Sequence, residues 1–223
     1  AVMSGKAPEM QALQLQTISK VKHGSHRGTP LSVIQVEKLF DTLSRNDSLI
    51  GIRDSTIFSV LLGTGLRRSE LVALSYADYS PENKTLFIRQ GKGNKSRIVY
   101  LPDWVKRSVS QWLTIRGTGR GPLFVRVARG GHVQLESPLS ASFIYSLVPK
   151  RLASIGGEGF YANHFRRAFS TRLLEQNVDL NTARQMAGHA DVSTTVVYDK
   201  RHEKVMKAAA ANLAYDSNGD KHE

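Results

Sequence analysis

The stretch TLFIRQGKGNKSRIVYL, residues 85–101, interrupts a chain whose apolar residues otherwise recur at helical spacing. Residues on both sides of GKGN read as extended, and two extended runs joined by a glycine-rich turn predict a β-hairpin. Its basic residues are Lys84, Arg89, Lys92, Lys95 and Arg97. Since only Glu82 and Asp103 are acidic neighbours in the sequence, we expect a strongly positive hairpin.

Helices are predicted before the hairpin. Ser32 can cap a first helix whose apolar residues Val36, Leu39, Phe40 and Leu43 recur at helical spacing. A second helix, at about 52–62, is apolar on most sides and ends at glycines 63 and 65, so we expect it to be buried. A third, short helix begins near Arg68.

The remainder after the hairpin is predicted to be helical, at about 103–116, 138–154, 163–176, 179–187, 191–199 and 202–213. The expected fold class is therefore mainly α with a small antiparallel β-sheet (α+β). Residues 1–30 read as a helix remnant and a basic linker, residues 31–215 as one domain and residues 216–223 as a polar tail. Because the chain opens on Ala1, we expect an upstream domain to be missing.

Composition limits the function classes. With 31 Lys plus Arg against 19 Asp plus Glu, the net charge is +12, which favours a polyanionic partner such as nucleic acid. The absence of cysteine excludes disulfides, thiolate metal sites and thiol nucleophiles. No apolar run approaches the roughly 18 residues of a membrane span, so a cytoplasmic protein acting on nucleic acid is expected, with no membrane partner.

Four segments place cationic or proton-transferring side chains beside a glycine, a turn or a helix start. They are TGLRRSEL (64–71), GKGNK (91–95), NHFRRAFSTRLL (163–174) and AGHADVSTTVVY (187–198). Each alone is compatible with a solvated surface or with packing. Together, in this order and spacing, they resemble the catalytic domain of the tyrosine recombinase (phage integrase) family, and the resemblance covers nearly all of residues 31–213.

The resemblance implies roles for particular residues. Arg67 matches the first catalytic arginine, and Glu70 a buried acid that orients it. Lys92 matches the general acid on the hairpin. Gly188 and His189 match the glycine-histidine pair, and Tyr198, nine residues after that histidine, matches the nucleophile. Further DNA contacts are expected from Lys95, Arg97, His164 and Arg167.

The second catalytic arginine can be placed in two registers, with Arg166 following Asn163 or with Arg167 following His164. The family that the chain resembles places this arginine 23 residues before its histidine, which selects Arg166, and the apolar stripe of the predicted helix agrees. Asn163 then stands where the family has histidine or lysine, and an amide cannot take up a proton at neutral pH. Either His164 fills in from the neighbouring position, or the site tolerates a neutral donor.

The reaction that the family catalyses requires this set of residues. Transfer of a DNA phosphodiester to tyrosine builds charge on the non-bridging oxygens, which two always-ionised guanidiniums, Arg67 and Arg166, can hold bidentately. His189 would donate to the same oxygens and Lys92 would protonate the leaving 5′ oxygen. No metal ion or other cofactor is therefore expected.

The resemblance implies site-specific recombination through a 3′-phosphotyrosyl intermediate, by a homotetramer on double-stranded DNA sites. Residues 205, 208, 209 and 213 give a plausible face for docking on a neighbouring subunit. Two alternatives stay open: a type IB topoisomerase-like enzyme and a non-catalytic DNA-binding protein. The helix at 138–154 either enters a DNA groove or uses its apolar stripe only for the core.

Overall fold

The structure is a computed structural model that describes residues 30–89 and 96–188. Its helices are α1 (Val33–Ser44), α2 (Leu49–Thr64), α3 (Arg68–Ala73), α4 (Asp103–Arg116), α5 (Ala141–Ala153), α6 (Ala162–Glu175) and α7 (Leu180–Ala187). Its strands are β1 (Tyr79–Ser80), β2 (Thr85–Ile88), β3 (Arg97–Tyr100), β4 (Val125–Val127) and β5 (Val133–Pro138). The mainly helical fold with small antiparallel sheets confirms the expected fold class.

Helix α2 is the centre of the core. It is apolar on nearly all sides, and such a helix is stable only when it is buried; α1, α4 and α6 pack around it. The Ser48 hydroxyl caps its first turn, and Gly65 ends it in the left-handed conformation, with φ +62°. A Cβ on Gly65 would lie 2.5 Å from the Phe169 ring of α6, so glycine is needed for both its conformation and its close packing. The turn after α2, which leads to Arg67, is therefore fixed to the core.

The predicted hairpin is confirmed by the pairing of β2 with β3, in the register Leu86↔Val99, and β1 extends it to three strands. Leu86, Ile88 and Val99 are buried, whereas side chains on the other face, such as Ile98, are exposed. Residues 90–95, between the two strands, lie outside the described residues. The sheet therefore fixes where the GKGNK segment leaves and re-enters the fold.

The expectation that the remainder is helical is wrong for residues 125–138. Strands β4 and β5 form a second antiparallel hairpin, with a register irregularity between Val125 and Arg126. The connecting turn contains Gly131 at φ +79°, which a helix cannot accommodate. Apolar runs as short as these do not distinguish a strand from a helix by periodicity alone, which explains the error.

Helix α5 buries its apolar stripe, Ile144, Leu147, Val148 and Leu152, so this stripe belongs to the core. Its outer face carries Tyr145, which is 51% exposed. Arg151 near its end binds Asp54 of α2 at 2.7 Å and links the two helices. In the ranges that the structure describes, no helix is long and apolar enough to cross a bilayer.

Candidate active site

Glu70 is the centre of an ion-pair cluster. Its carboxylate oxygen Oε1 accepts hydrogen bonds from Arg67 Nη1 at 2.7 Å and Arg97 Nη1 at 3.0 Å. The other oxygen, Oε2, accepts from Arg97 Nη2 and from the backbone N–H of Arg67, both at 2.9 Å. The residue is only 4% exposed. One buried carboxylate thus fixes a guanidinium of the TGLRRSEL segment and a guanidinium of strand β3.

The pKa of Glu70 reflects this environment. Burial alone raises the pKa, but the hydrogen bonds from Arg97 and from the Arg67 backbone, together with the positive charge of Arg97, lower it to about 2. Glu70 is therefore ionised at neutral pH and forms ion pairs with both guanidiniums.

Two basic residues of the hairpin are less available than the sequence indicates. Arg97 uses both terminal nitrogens on Glu70, and Arg89 Nε donates to the buried carboxylate of Asp78 at 2.7 Å. The expectation that Glu82 and Asp103 are the only acidic neighbours is therefore wrong, because Glu70 and Asp78 are brought in by the fold. That Arg97 contacts DNA stays a prediction.

Gly188 brings a third segment to the cluster. It ends α7 in the left-handed conformation, with φ +64°, and its carbonyl accepts from Arg67 Nη2 at 2.9 Å. A Cβ at this position would lie 2.6 Å from Cζ of Arg97. The glycine before His189 is thus required by its backbone conformation and by the Arg97 side chain packed against it.

Arg166 lies on α6 and is only 8% exposed. Its Nη1 donates to the carbonyl oxygen of Gly65 at 2.8 Å, on the turn that carries Arg67. Arg167, from the other register, is half-buried and lines a cleft beside Arg67. Asn163 is exposed and lines the same cleft.

The His164 side chain is hydrogen-bonded to the backbone at the start of α6. Its Nδ1 accepts the backbone N–H of Tyr161 at 2.9 Å, while the Tyr161 carbonyl lies farther away, at 3.2 Å. Because a backbone N–H is always a donor, the proton of the neutral imidazole is on Nε2. Burial lowers the pKa of His164; the Tyr161 carbonyl, to which the charged ring can donate, opposes this, and the charge of Arg167 lowers the pKa further.

The cleft has a volume of about 620 Å³ and contains residues that the sequence did not single out for chemistry. Tyr161 stacks on Tyr145, with ring centroids 5.1 Å apart and planes at 16°, and Arg68 Cζ lies 5.1 Å from the Tyr145 centroid. The sequence assigned Arg68 no role. Tyr161 carries no local signal, since its partner Tyr145 is on another helix.

Four predicted site residues, Lys92, Lys95, His189 and Tyr198, lie outside the described residues, as do the helices predicted at 191–199 and 202–213. Among residues 30–89 and 96–188, no group of three or more histidine, aspartate or glutamate side chains could hold a metal ion.

Comparison with known proteins extends the resemblance. The family model of the phage integrase family matches residues 30–204. The tyrosine recombinase XerD of Rickettsia conorii is 32% identical over 194 residues, which cover 80% of this chain and 62% of XerD. The tyrosine recombinase XerA of Pyrococcus furiosus is 31% identical over 181 residues, covering 80% of this chain and 60% of XerA. The chain thus spans about three fifths of the length of these relatives.

Solved structures share the fold. The XerH site-specific recombinase bound to palindromic difH substrate superposes with a TM-score of 0.68 at 24% identity, over 89% of this chain and 57% of XerH. The Tn1549 transposon integrase in complex with circular intermediate DNA gives 0.69 at 17% identity, over 92% of this chain and 74% of the integrase. Since the family model covers residues 30–204, a range that contains all four segments, the chain belongs to the phage integrase family of tyrosine recombinases.

Proposed function

We propose that this chain is the catalytic portion of a site-specific DNA recombinase that cleaves one strand through Tyr198 and rejoins it to a partner strand. The observation that carries the proposal is that three separate segments meet at the Arg67–Glu70 pair: Arg67 of TGLRRSEL and Arg97 of the hairpin donate to Glu70, and the Gly188 carbonyl accepts from Arg67.

The clamp on the phosphate consists of Arg67 and Arg166. Tyr198 Oη attacks the phosphorus, a bond to the 3′-phosphate forms and the bond to the 5′ oxygen breaks. Arg67 spends Nη1 on Glu70 and Nη2 on Gly188, so each terminal nitrogen retains one N–H for a phosphate oxygen. Fixing the guanidinium before DNA binds avoids reorganisation in the transition state, where extra negative charge develops on the oxygens.

The leaving 5′ oxygen takes a proton from Lys92, on the segment between β2 and β3. Arg97 begins β3, and its bond to Glu70 ties this end of the hairpin to the arginine clamp. Glu70 therefore supports both the hairpin that carries the general acid Lys92 and the Arg67 side of the phosphate clamp.

The proton of Tyr198 does not go to His164 in this proposal. Its Nδ1 is an acceptor for the α6 backbone, so Nε2 is already protonated and can only donate. Asn163 likewise supplies a neutral donor. We therefore assign His189 as the imidazole that accepts the phenolic proton.

Strand exchange follows because the phosphotyrosyl bond conserves the energy of the broken phosphodiester, so a 5′ hydroxyl from another duplex reverses the step without ATP. We propose that a homotetramer on two DNA sites carries this out, with residues 203–213 docking on a neighbouring subunit. These residues lie outside the described part of the chain.

The test begins with selection, from random duplexes, of the sequence that the full chain binds, which then supplies a nicked substrate that traps a covalent adduct. Wild type is expected to form the adduct and Tyr198→Phe to bind without forming it. No adduct from wild type contradicts the enzyme, and an adduct with Tyr198→Phe contradicts the nucleophile. Relaxation of any supercoiled plasmid, without two specific sites, would indicate topoisomerase activity instead.

A further inference from the structure

The cleft beside Arg67 has the charge of an anion site. It lies between α3, α5 and the start of α6, and its lining residues are Arg67, Arg68, Ser69, Tyr145, Gly159, Tyr161, Ala162, Asn163, His164 and Arg167. This lining contains three arginines and no carboxylate. A cleft with guanidinium donors and no carboxylate to neutralise them favours binding of a phosphate group.

Two tyrosines form one wall of the cleft. Tyr145 on α5 and Tyr161 before α6 stack in parallel, although they are 51% and 39% exposed. An exposed stack of two large rings that come from different elements buries little apolar area in the core. It does provide a flat, rigid surface.

Arg68 rests on this surface. Its Cζ lies 5.1 Å from the Tyr145 centroid, and among the ion pairs of the described residues none involves Arg68. Arg67, the preceding residue, turns inward to Glu70. An aromatic ring attracts a guanidinium through its electron-rich face and does not use up the N–H donors. Arg68 is thus held near the cleft without losing its charge to a carboxylate.

We propose that Arg68, held by the Tyr145–Tyr161 stack, binds a DNA phosphodiester next to the one that Arg67 engages. Consecutive residues point in different directions here, Arg67 to the buried carboxylate and Arg68 to the exposed stack, so the two guanidiniums are suited to separate phosphates of one strand. Arg68 is therefore a DNA-binding residue beside the clamp. This inference rests on the proposed function.

The first test is equilibrium binding of the selected duplex by the full chain at several salt concentrations. Arg68→Ala is expected to raise Kd about tenfold and to reduce the slope of log K against log salt by about 0.9, the value for one lost phosphate contact. Arg120→Ala, which removes an exposed arginine outside the cleft, is the matched control and should change Kd less than about twofold. An unchanged slope in Arg68→Ala, or an equal effect in Arg120→Ala, overturns the proposal.

The second test concerns the platform. Tyr145→Leu removes the ring and is expected to raise Kd about threefold, whereas Tyr145→Phe keeps the ring and should bind like wild type. The double variant Arg68→Ala/Tyr145→Leu should bind no worse than Arg68→Ala alone, because both changes remove the same contact. Additive losses would mean that Tyr145 acts independently of Arg68, which contradicts the platform.

Cleavage separates this inference from the proposed function. At saturating nicked DNA, Arg67→Ala should lose at least about 100-fold of the cleavage rate, whereas Arg120→Ala, outside the cleft, should cleave like wild type. If wild type forms no adduct but Arg68→Ala still lowers the salt slope, the proposed function fails and the phosphate contact stands. If cleavage occurs but the slope is unchanged, the reverse holds.

Discussion

Each carboxylate oxygen of Glu70 accepts hydrogen bonds from both Arg67 and Arg97. The ionisation of Glu70 therefore matters for stability as well as for the site. A group whose pKa is lowered on folding stabilises the protein above its unfolded pKa and loses that contribution as the pH falls. For Glu70 the window runs from about pH 4.5 down to about pH 2. Over this window the lost contribution is about 3 kcal/mol.

Glu70→Gln should remove this acid-dependent contribution. Urea unfolding between pH 7 and pH 2.5 is expected to give a shallower fall in the free energy of unfolding for the variant than for wild type, with the curves converging at low pH. Single-turnover cleavage at pH 7 should also fall, because an amide offers one acceptor oxygen and two donors that repel guanidinium N–H groups. Parallel pH curves would contradict the assignment of the shift to Glu70.

Arg166 and Arg167 are neighbours in the sequence but lie in different environments, so substituting each of them should have a different effect on cleavage and on DNA binding. Arg166→Ala is expected to reduce adduct formation at saturating DNA by at least about 100-fold, since it removes half of the phosphate clamp. Arg167→Ala should mainly raise Kd. Arg166→Lys, which keeps the charge, serves as the folding control, and the reverse order of effects would select the other register.

Gly188→Ala should strain the backbone and also create a clash with Arg97, whereas the same substitution at Gly156 should strain only the backbone. Gly156 also has a positive φ, +74°, but nothing lies within 4 Å of a Cβ built there. Gly156→Ala should therefore destabilise by about 1 kcal/mol through its backbone alone. Gly188→Ala should destabilise more and also slow cleavage, because its Cβ displaces Arg97 from Glu70; equal effects of both substitutions on cleavage would exclude this coupling.

At the scale of elements, the hairpin is connected to the catalytic turn through one side chain. Strand β3 contributes Arg97, whose two bonds to Glu70 span 27 residues of sequence. The orientation of the segment that carries Lys92 is expected to depend on this link.

Arg97→Lys tests the link through the chemistry of the leaving group. A lysine cannot form the two parallel bonds to Glu70, so cleavage should slow by about tenfold as the general acid is displaced. A substrate with sulfur in place of the 5′ bridging oxygen needs no general acid, and it should restore the rate for Arg97→Lys and for Lys92→Ala. It should not restore the rate for Arg166→Ala. Failure to restore Arg97→Lys would show that Arg97 acts on the clamp rather than on the hairpin.

Local signals explain which elements could be predicted. Ser32 as a cap and Gly65 as a stop are visible in the local sequence, so α1 and α2 can be predicted, although Gly65 also packs against Phe169 of α6. The hairpin of β2 and β3 was predicted because its alternation flanks a glycine turn. Strands β4 and β5 were missed because runs this short satisfy either period.

The site was predictable only to the extent that its motifs are local. The segments containing Arg67, Arg166 and Gly188 could be found in the sequence, but the partner of Arg97 is decided by packing. The same holds for the Tyr145–Tyr161 stack, in which α5 and the residue before α6 bring together rings 16 residues apart without a pattern that connects them.

At the scale of the whole molecule, assembly is the remaining property to test. The chain covers about three fifths of its relatives' length, and the proposed tetramer contacts lie in residues 203–213. Deletion of 203–223 is expected to lower the pairing of two DNA sites, measured by gel shift, by at least about tenfold more than the binding of one site. An equal loss of both would exclude docking by this segment.

Because Arg67 and Arg97 both bind Glu70, segments cannot be exchanged freely between related recombinases when chimaeric proteins are built. A hairpin transplanted from a relative brings its own residue at position 97, whereas the carboxylate that must receive it stays with the host. Chimaeras should therefore be cut so that residues 67–100 move as one block, and libraries that randomise position 97 should vary position 70 with it.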